Sequence, residues 1–151
     1  MNNIEAAEMF LELADLIDLA GELPFKARSY RKIAQSLKNL KQPFADIVKE
    51  NRFDKIPGAG KAIKEKLRTM VETERIPTLE KWRKHHVKLF YRWLTLYDIK
   101  PRPLGMLIRL LDASDCEDLL KKLKSYDLKK LTGQVKQTAK KILDKNRIVY
   151  Y

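Results

Sequence analysis

The sequence predicts an all-α fold, a small helical bundle of short helices joined by tight loops. Two observations carry this. Apolar residues recur at spacings of three and four while no stretch alternates as a strand, and Pro or Gly clusters divide the chain into short periodic segments.

Ile4, Ala7, Leu11, Ala14 and Ile17 line one face of a first helix and place its acids opposite. Pro24 opens a second, with Ile33, Ala34, Leu37 and Leu40 as its apolar stripe. Lys26, Arg28, Arg31, Lys32 and Lys38 of that helix face outward. Phe44 to Val48 forms a short third helix. The breaker cluster Ile56-Pro57-Gly58-Ala59-Gly60 then leads into a helix that packs Ile63, Leu67, Met70 and Val71, and Ile76-Pro77 closes this part. Leu79, Trp82, Leu89, Phe90 and Trp93 sit on one long helix. Pro101 and Pro103 break the chain ahead of a helix from Leu104 to Leu111. Ser114-Asp115-Cys116-Glu117 reads as a capping box. A Lys-rich helix near Gln137 to Lys145 follows Gly133, and Arg147 to Tyr151 reads as a tail.

Composition narrows the class. With 44% apolar residues in 151, the chain folds instead of staying disordered. No run approaches the roughly 18 apolar residues of a membrane span, because charges interrupt each one. Met1-Asn2-Asn3-Ile4-Glu5 lacks the basic and apolar regions of a secretory signal. The single Cys116 excludes an internal disulfide and fits a reducing compartment. The expectation is a cytoplasmic protein, nucleoid-associated if it binds DNA, with no membrane partner.

Charge bears on the partner. Lys and Arg number 32 against 20 Asp and Glu, a net +12. Residues 1–24 carry six acids and no base, whereas residues 121–151 carry ten bases and two acids. Such a basic surface either faces a polyanion, with salt-sensitive binding through counterion release, or is a solvated Lys-rich helix surface. A nucleic-acid partner is the specific alternative of the two.

Ile56-Pro57-Gly58-Ala59-Gly60 has a chemical meaning between two helices. Glycines accept positive φ and let a ligand approach the backbone. The free N–H groups opening the next helix point outward at the positive end of its dipole, which suits a phosphodiester. Lys61, Lys64 and Arg68 surround that position, and such a site contacts backbone and not base edges. The competing reading is a tight helix-helix turn.

Phe25-Lys26-Ala27-Arg28-Ser29-Tyr30-Arg31-Lys32, followed by Ile56-Pro57-Gly58-Ala59-Gly60-Lys61-Ala62-Ile63-Lys64-Glu65-Lys66-Leu67, resembles the N-terminal domain of family X DNA polymerases, the DNA polymerase beta family, and most of all its bacterial and archaeal branch. The resemblance runs from Asn3 to Leu79 and continues with fewer matched residues to Leu143. It implies a helix-hairpin-helix domain over residues 1–77. Residues 78–151 would form a helical region like the family's fingers part, with eroded hairpins and a basic C-terminus.

The resemblance also implies DNA as partner, gripped at its phosphates by the hairpin and by Lys26; with the cations read above, the expected DNA contacts are Lys26, Gly58, Ala59, Gly60, Lys61, Lys64 and Arg68. A monovalent cation at the hairpin carbonyls goes with it. It further implies abasic-site or 5′-deoxyribose phosphate lyase activity: Lys66 attacks the sugar aldehyde to form a Schiff base, supported by Glu65 and Tyr30. The residues alone place Lys66 at the edge of the apolar stripe, where burial and nearby cations lower an amine's pKa. A lysine laying its stem along a core looks the same.

Departures from the pattern matter. Ala62, Phe25 and Asp54 stand where a lysine, a histidine and a basic residue are expected, which thins the 5′-phosphate pocket more than it touches internal abasic-site incision. A second Gly-x-Gly turn is replaced by Ile99-Lys100-Pro101-Arg102-Pro103-Leu104-Gly105, and a third, Leu131-Thr132-Gly133-Gln134-Val135, keeps one glycine. Lys136, Lys140, Lys141, Lys145 and Arg147 would then hold DNA by charge alone. The chain ends before the sheet that carries polymerase metal ligands, so polymerisation is not expected of it.

Other residues carry less. His85-His86 would point apart on a helix, one at the surface and one partly buried, and no acid or cysteine cluster joins them, so no metal site is expected. Cys116, Trp82 and Trp93 read as packing residues, and no organic cofactor is implied. The reading that competes with a lyase is a non-enzymatic adaptor whose hairpin holds DNA while the second half docks a protein. RNA is the third possibility.

Overall fold

The computed structural model describes residues 1–147; the rest of the tail, with Tyr150 and Tyr151, lies outside the described residues. Every regular element among them is helical. The chain groups into two compact units, Met1–Ile17 with Leu23–Lys84, and Asp18–Glu22 with His85–Tyr151.

Helix α1 spans Asn3–Leu19, with residues 3–17 in the first unit. It starts where Asn2 Oδ1 accepts the Glu5 amide at 2.8 Å. Its buried surface is a broad arc of Ala6, Ala7, Phe10, Leu13, Ala14, Leu16 and Ile17, not the stripe expected from Ile4 and Leu11. Ile4 is exposed, because it stands in the first turn before packing begins. A helix covered this widely shows no clean amphipathic period. Nor do its acids all face water: Asp15 pairs with Arg31, and Glu12 takes both ends of the Arg83 guanidinium at 2.7 and 2.9 Å.

Helix α2, Pro24–Asn39, begins on a proline whose missing N–H would be unbonded in the first turn anyway. It buries Ala27, Ile33, Ala34 and Leu37, while Leu40 lies just past its end. Asn3 fastens the following loop, accepting from Phe44 N at 2.7 Å and donating to Gln42 O at 2.8 Å. Helix α3, Phe44–Lys49, and a 3-10 turn, Phe53–Lys55, precede the breaker cluster. Helix α4, Lys61–Thr73, packs Ile63, Leu67 and Met70 against the core, with α3 beside it. Helix α5, Pro77–Arg83, completes the unit.

The long helix expected through Trp93 is instead three pieces. Helix α5 stops at Arg83, a 3-10 segment runs His86–Phe90, and α6 spans Tyr91–Leu96. The interruption is His85, which is extended and whose Nδ1 accepts the Val87 amide at 3.2 Å, capping the next turn. Away from a regular helix, the His85 and His86 rings approach to 4.7 Å instead of pointing apart, and both are exposed.

In the second unit, Pro101 and Pro103 do not break the chain ahead of a helix; they lie in the first turn of α7, Pro101–Leu110, where no amide partner is needed. Helix α8, Cys116–Ser125, is capped one residue later than expected. Asp115 accepts the Asp118 amide at 2.8 Å, and Asp118 accepts from Ser114 N at 2.9 Å, so Glu117 takes no part. After a 3-10 turn, Leu128–Lys130, α9 runs Gly133–Lys145 and packs on α7 and α8.

The segment after Ile17 is clasped by α7. Arg102 Nη1 donates to Asp18 Oδ1 and to Glu22 O, both at 2.9 Å, and Asp18 is only 4% exposed. Arg109 Nη1 donates to Leu19 O at 2.8 Å. A Cβ at Gly105 would stand 2.2 Å from that same carbonyl oxygen. Gly105 is thus a helix-packing glycine, which explains its presence without a hairpin.

Candidate nucleic-acid interface

The turn Ile56-Pro57-Gly58-Ala59-Gly60 is built almost wholly from backbone. Ile56 is buried and anchors it, its amide donating to Phe53 O at 3.0 Å. Ala59 N returns to Ile56 O at 3.3 Å, and Gly60 N to Gly58 O at 3.1 Å. Gly58 has φ +90, a conformation that side chains rarely adopt. Gly60 is the N-cap of α4 and supplies no side-chain cap, and the first intrahelical bond is Lys64 N to Gly60 O at 2.9 Å. The amides of Lys61, Ala62 and Ile63 therefore open the helix with no acceptor inside it, at the positive end of a 13-residue dipole. That is an anion-binding geometry.

Around it the cations are aimed by aromatic contacts. Lys64 Nζ lies 5.5 Å from the centre of the Phe53 ring and the Arg68 guanidinium carbon 4.9 Å from it. Arg68 also pairs with Glu65. Lys61 is exposed at the first helical position and Ala59 is half-buried in the turn. Sequence reasoning missed Phe53, whose ring organises two of the cations; its only signal was an aromatic three residues ahead of the breaker cluster. It also missed the brace from α2, where Ser36 Oγ donates to Pro57 O at 2.6 Å.

A second cluster gathers on another face of α4, since Lys66 stands about 200° round the helix from Lys64. Lys66 Nζ is 5.8 Å from the centre of the Tyr30 ring, which stacks on buried Phe10 at 6.0 Å. Burial lowers the Lys66 pKa and raises that of Tyr30, against which the Lys26 charge pulls. Neighbouring cations, expected to help depress Lys66, contribute nothing to its shift. Lys26, Tyr30 and Lys66 are thus brought together, whereas the Glu65 carboxylate is turned to Arg68.

A family model for the helix-hairpin-helix domain matches residues 1–76. The chain belongs to this family. Helix-hairpin-helix domains bind DNA, and the amide-lined turn before α4 is the hairpin of this one. No curated protein matches the chain. Among the described residues, no helix is long and apolar enough to cross a membrane, and no group of three or more His, Cys, Asp or Glu gathers as a metal site.

In the second unit, Lys136, Lys140, Lys141 and Lys145, expected to hold DNA by charge, lie on α9. Lys141 Nζ donates to Asp98 O at 2.9 Å and Lys145 Nζ to Leu96 O at 3.4 Å, so both are engaged with the end of α6 and the loop beyond it. Lys140 is exposed and Lys136 half-buried. The entry to α9 follows a similar order: a helix, a 3-10 turn, a buried aliphatic in Leu131 and a left-handed glycine, Gly133 (φ +58), which here is the first residue of the helix itself.

Proposed function

We propose that the protein is a sequence-nonspecific DNA-repair module, related to the N-terminal domain of family X DNA polymerases, that grips duplex phosphates with its hairpin and reacts with abasic sites through Lys66. The observation that carries the chemistry is the Lys66 amine, on the helix that follows the hairpin, its pKa lowered by burial and its Nζ 5.8 Å from the centre of the Tyr30 ring. A partly desolvated amine spends more time unprotonated, as a nucleophile requires.

In this reading the Lys66 amine adds to C1′ of the open-chain sugar and water leaves, forming a Schiff base. Loss of a C2′ proton then breaks the C3′–O3′ bond, and the phosphate leaves with the electron pair. Lys26 and Lys61 hold flanking phosphates, and Tyr30 shapes the pocket. Glu65 would support Lys66 only after releasing Arg68. A monovalent cation fits the hairpin as an addition: the carbonyls of Ile56, Pro57 and Gly58 each accept one hydrogen bond and retain a lone pair. No step depends on it.

The adaptor reading, in which the second unit docks a protein, draws on exposed Leu89 and Leu96, which line one cavity with Trp93 and Cys116. Borohydride trapping on abasic duplex DNA separates the two. A covalent adduct formed by the native chain and lost in Lys66→Ala supports the lyase. DNA binding without any adduct leaves the adaptor.

A further inference from the structure

We infer that Lys32, on α2, is a DNA phosphate contact, so that the DNA surface runs from the start of α4 across the hairpin on to α2. The inference rests on the hairpin being the DNA site and names a contact outside the motif itself. Its starting point is the stem of Lys32. The Cγ, Cδ and Cε atoms lie 3.4 to 3.5 Å from where a Cβ of Gly58 would stand, so the methylenes cross the outer surface of the turn at van der Waals distance. Gly58 and Lys32 are both exposed, so the ammonium, one bond beyond Cε, is delivered to the solvent rim of the hairpin. A lysine stem fixed in this way leaves less rotamer freedom to lose on binding than a free one.

Position and charge then agree. One turn along α2, the Ser36 hydrogen bond to Pro57 O ties the helix to the same turn, which sets the Lys32 ammonium relative to the amides of Lys61, Ala62 and Ile63. Among the described residues, no carboxylate pairs with Lys32, in contrast to Arg31 beside it, which is engaged by Asp15. Arg28, four residues before Lys32, is exposed on the same side of α2. The turn itself offers only neutral amides at this edge, and a phosphodiester seated there would meet a full positive charge from Lys32.

Lys32→Met keeps the stem over Gly58 and removes the charge; Lys38→Met removes an equal charge from the far end of α2. Affinity for a short duplex of random sequence, measured against salt, tests the inference. Lys32→Met should weaken binding about three- to tenfold and lower the slope of log affinity on log salt by about 0.9, with Lys32→Arg restoring both and Lys38→Met changing little. Equal effects of Lys32→Met and Lys38→Met, in a protein whose native form binds duplex, would overturn the Lys32 contact and leave the hairpin reading standing. A native protein that fails to bind duplex at all overturns both.

Discussion

The Lys66 ammonium stands 5.8 Å from the centre of the Tyr30 ring, and burial alone lowers its pKa. In the proposed lyase, an amine in this position would draw its reactivity from the apolar wall of the first unit, not from the lysines that surround the hairpin. Adduct formation with abasic DNA should therefore rise with pH and level off below 10.5, the ordinary lysine value, with little dependence on salt at saturating DNA. A midpoint at 10.5 or above would remove the role assigned to burial.

The same shift has a consequence for stability. The unfolded chain holds the Lys66 proton more tightly than the folded one, so stability rises with pH between the lowered folded value and 10.5. Below that window the folded state carries the penalty in full. Lys66→Met should be slightly more stable than the native chain at neutral pH and lose this rise, as read by urea unfolding at several pH values.

Gly58 and Gly60 should respond differently to alanine. Gly58 has φ +90 with the Lys32 stem alongside, so Gly58→Ala should cost about 1–3 kcal/mol in chemical denaturation and disorder the hairpin. Gly60 has φ −77 and nothing within 4 Å of an added Cβ. Gly60→Ala should cost only about 0.5–1 kcal/mol, the ordinary disadvantage of alanine at an N-cap. Any loss of DNA affinity in that variant would then report shielding of the helix amides.

Gly105→Ala should be the more damaging substitution in the second unit. Its methyl would meet Leu19 O at 2.2 Å, a backbone atom that cannot rotate aside. Overpacking of this kind costs about 3 kcal/mol, visible as a lower thermal midpoint in a variant whose hairpin residues are untouched.

Cys116 should be inert in the native protein. Burial and the nearby Asp115 push its thiol up to about 11, and Sγ donates to Leu89 O at 3.2 Å. Alkylation at pH 8 should run about 100-fold slower than in the urea-unfolded chain. Comparable rates would show that the thiol is not held as described.

The parts legible in the sequence were those set by local chemistry. Pro24, the glycines of the hairpin and the stripe of Ile63, Leu67 and Met70 each act within a turn or two of their own position, and each element formed where they indicated. The misreadings came from contacts far along the chain or from side chains in unusual roles. Nothing near Gly105 announces the Leu19 carbonyl, and nothing near Asp18 announces Arg102. His85 caps the start of the next 3-10 turn with its ring, a task usually left to Ser, Thr, Asp or Asn. Within the site, the hairpin was readable because glycine and lysine spacing encode it. The direction of Glu65, the Phe53 platform and the stem of Lys32 depend on how α2 and the 3-10 turn lie against α4, which no single segment specifies.

Gly60 caps α4 with no side chain, leaving the opening amides of Lys61, Ala62 and Ile63 without an acceptor inside the helix. Those N–H groups belong to the chain whatever residues carry them. Mutational drift can thus alter most positions of the helix while this anion-binding geometry persists, provided the two glycines and the buried Ile56 hold the turn in place. Heritable function of this sort resides in backbone shape, and it can outlast the side-chain identities by which kinship is usually traced.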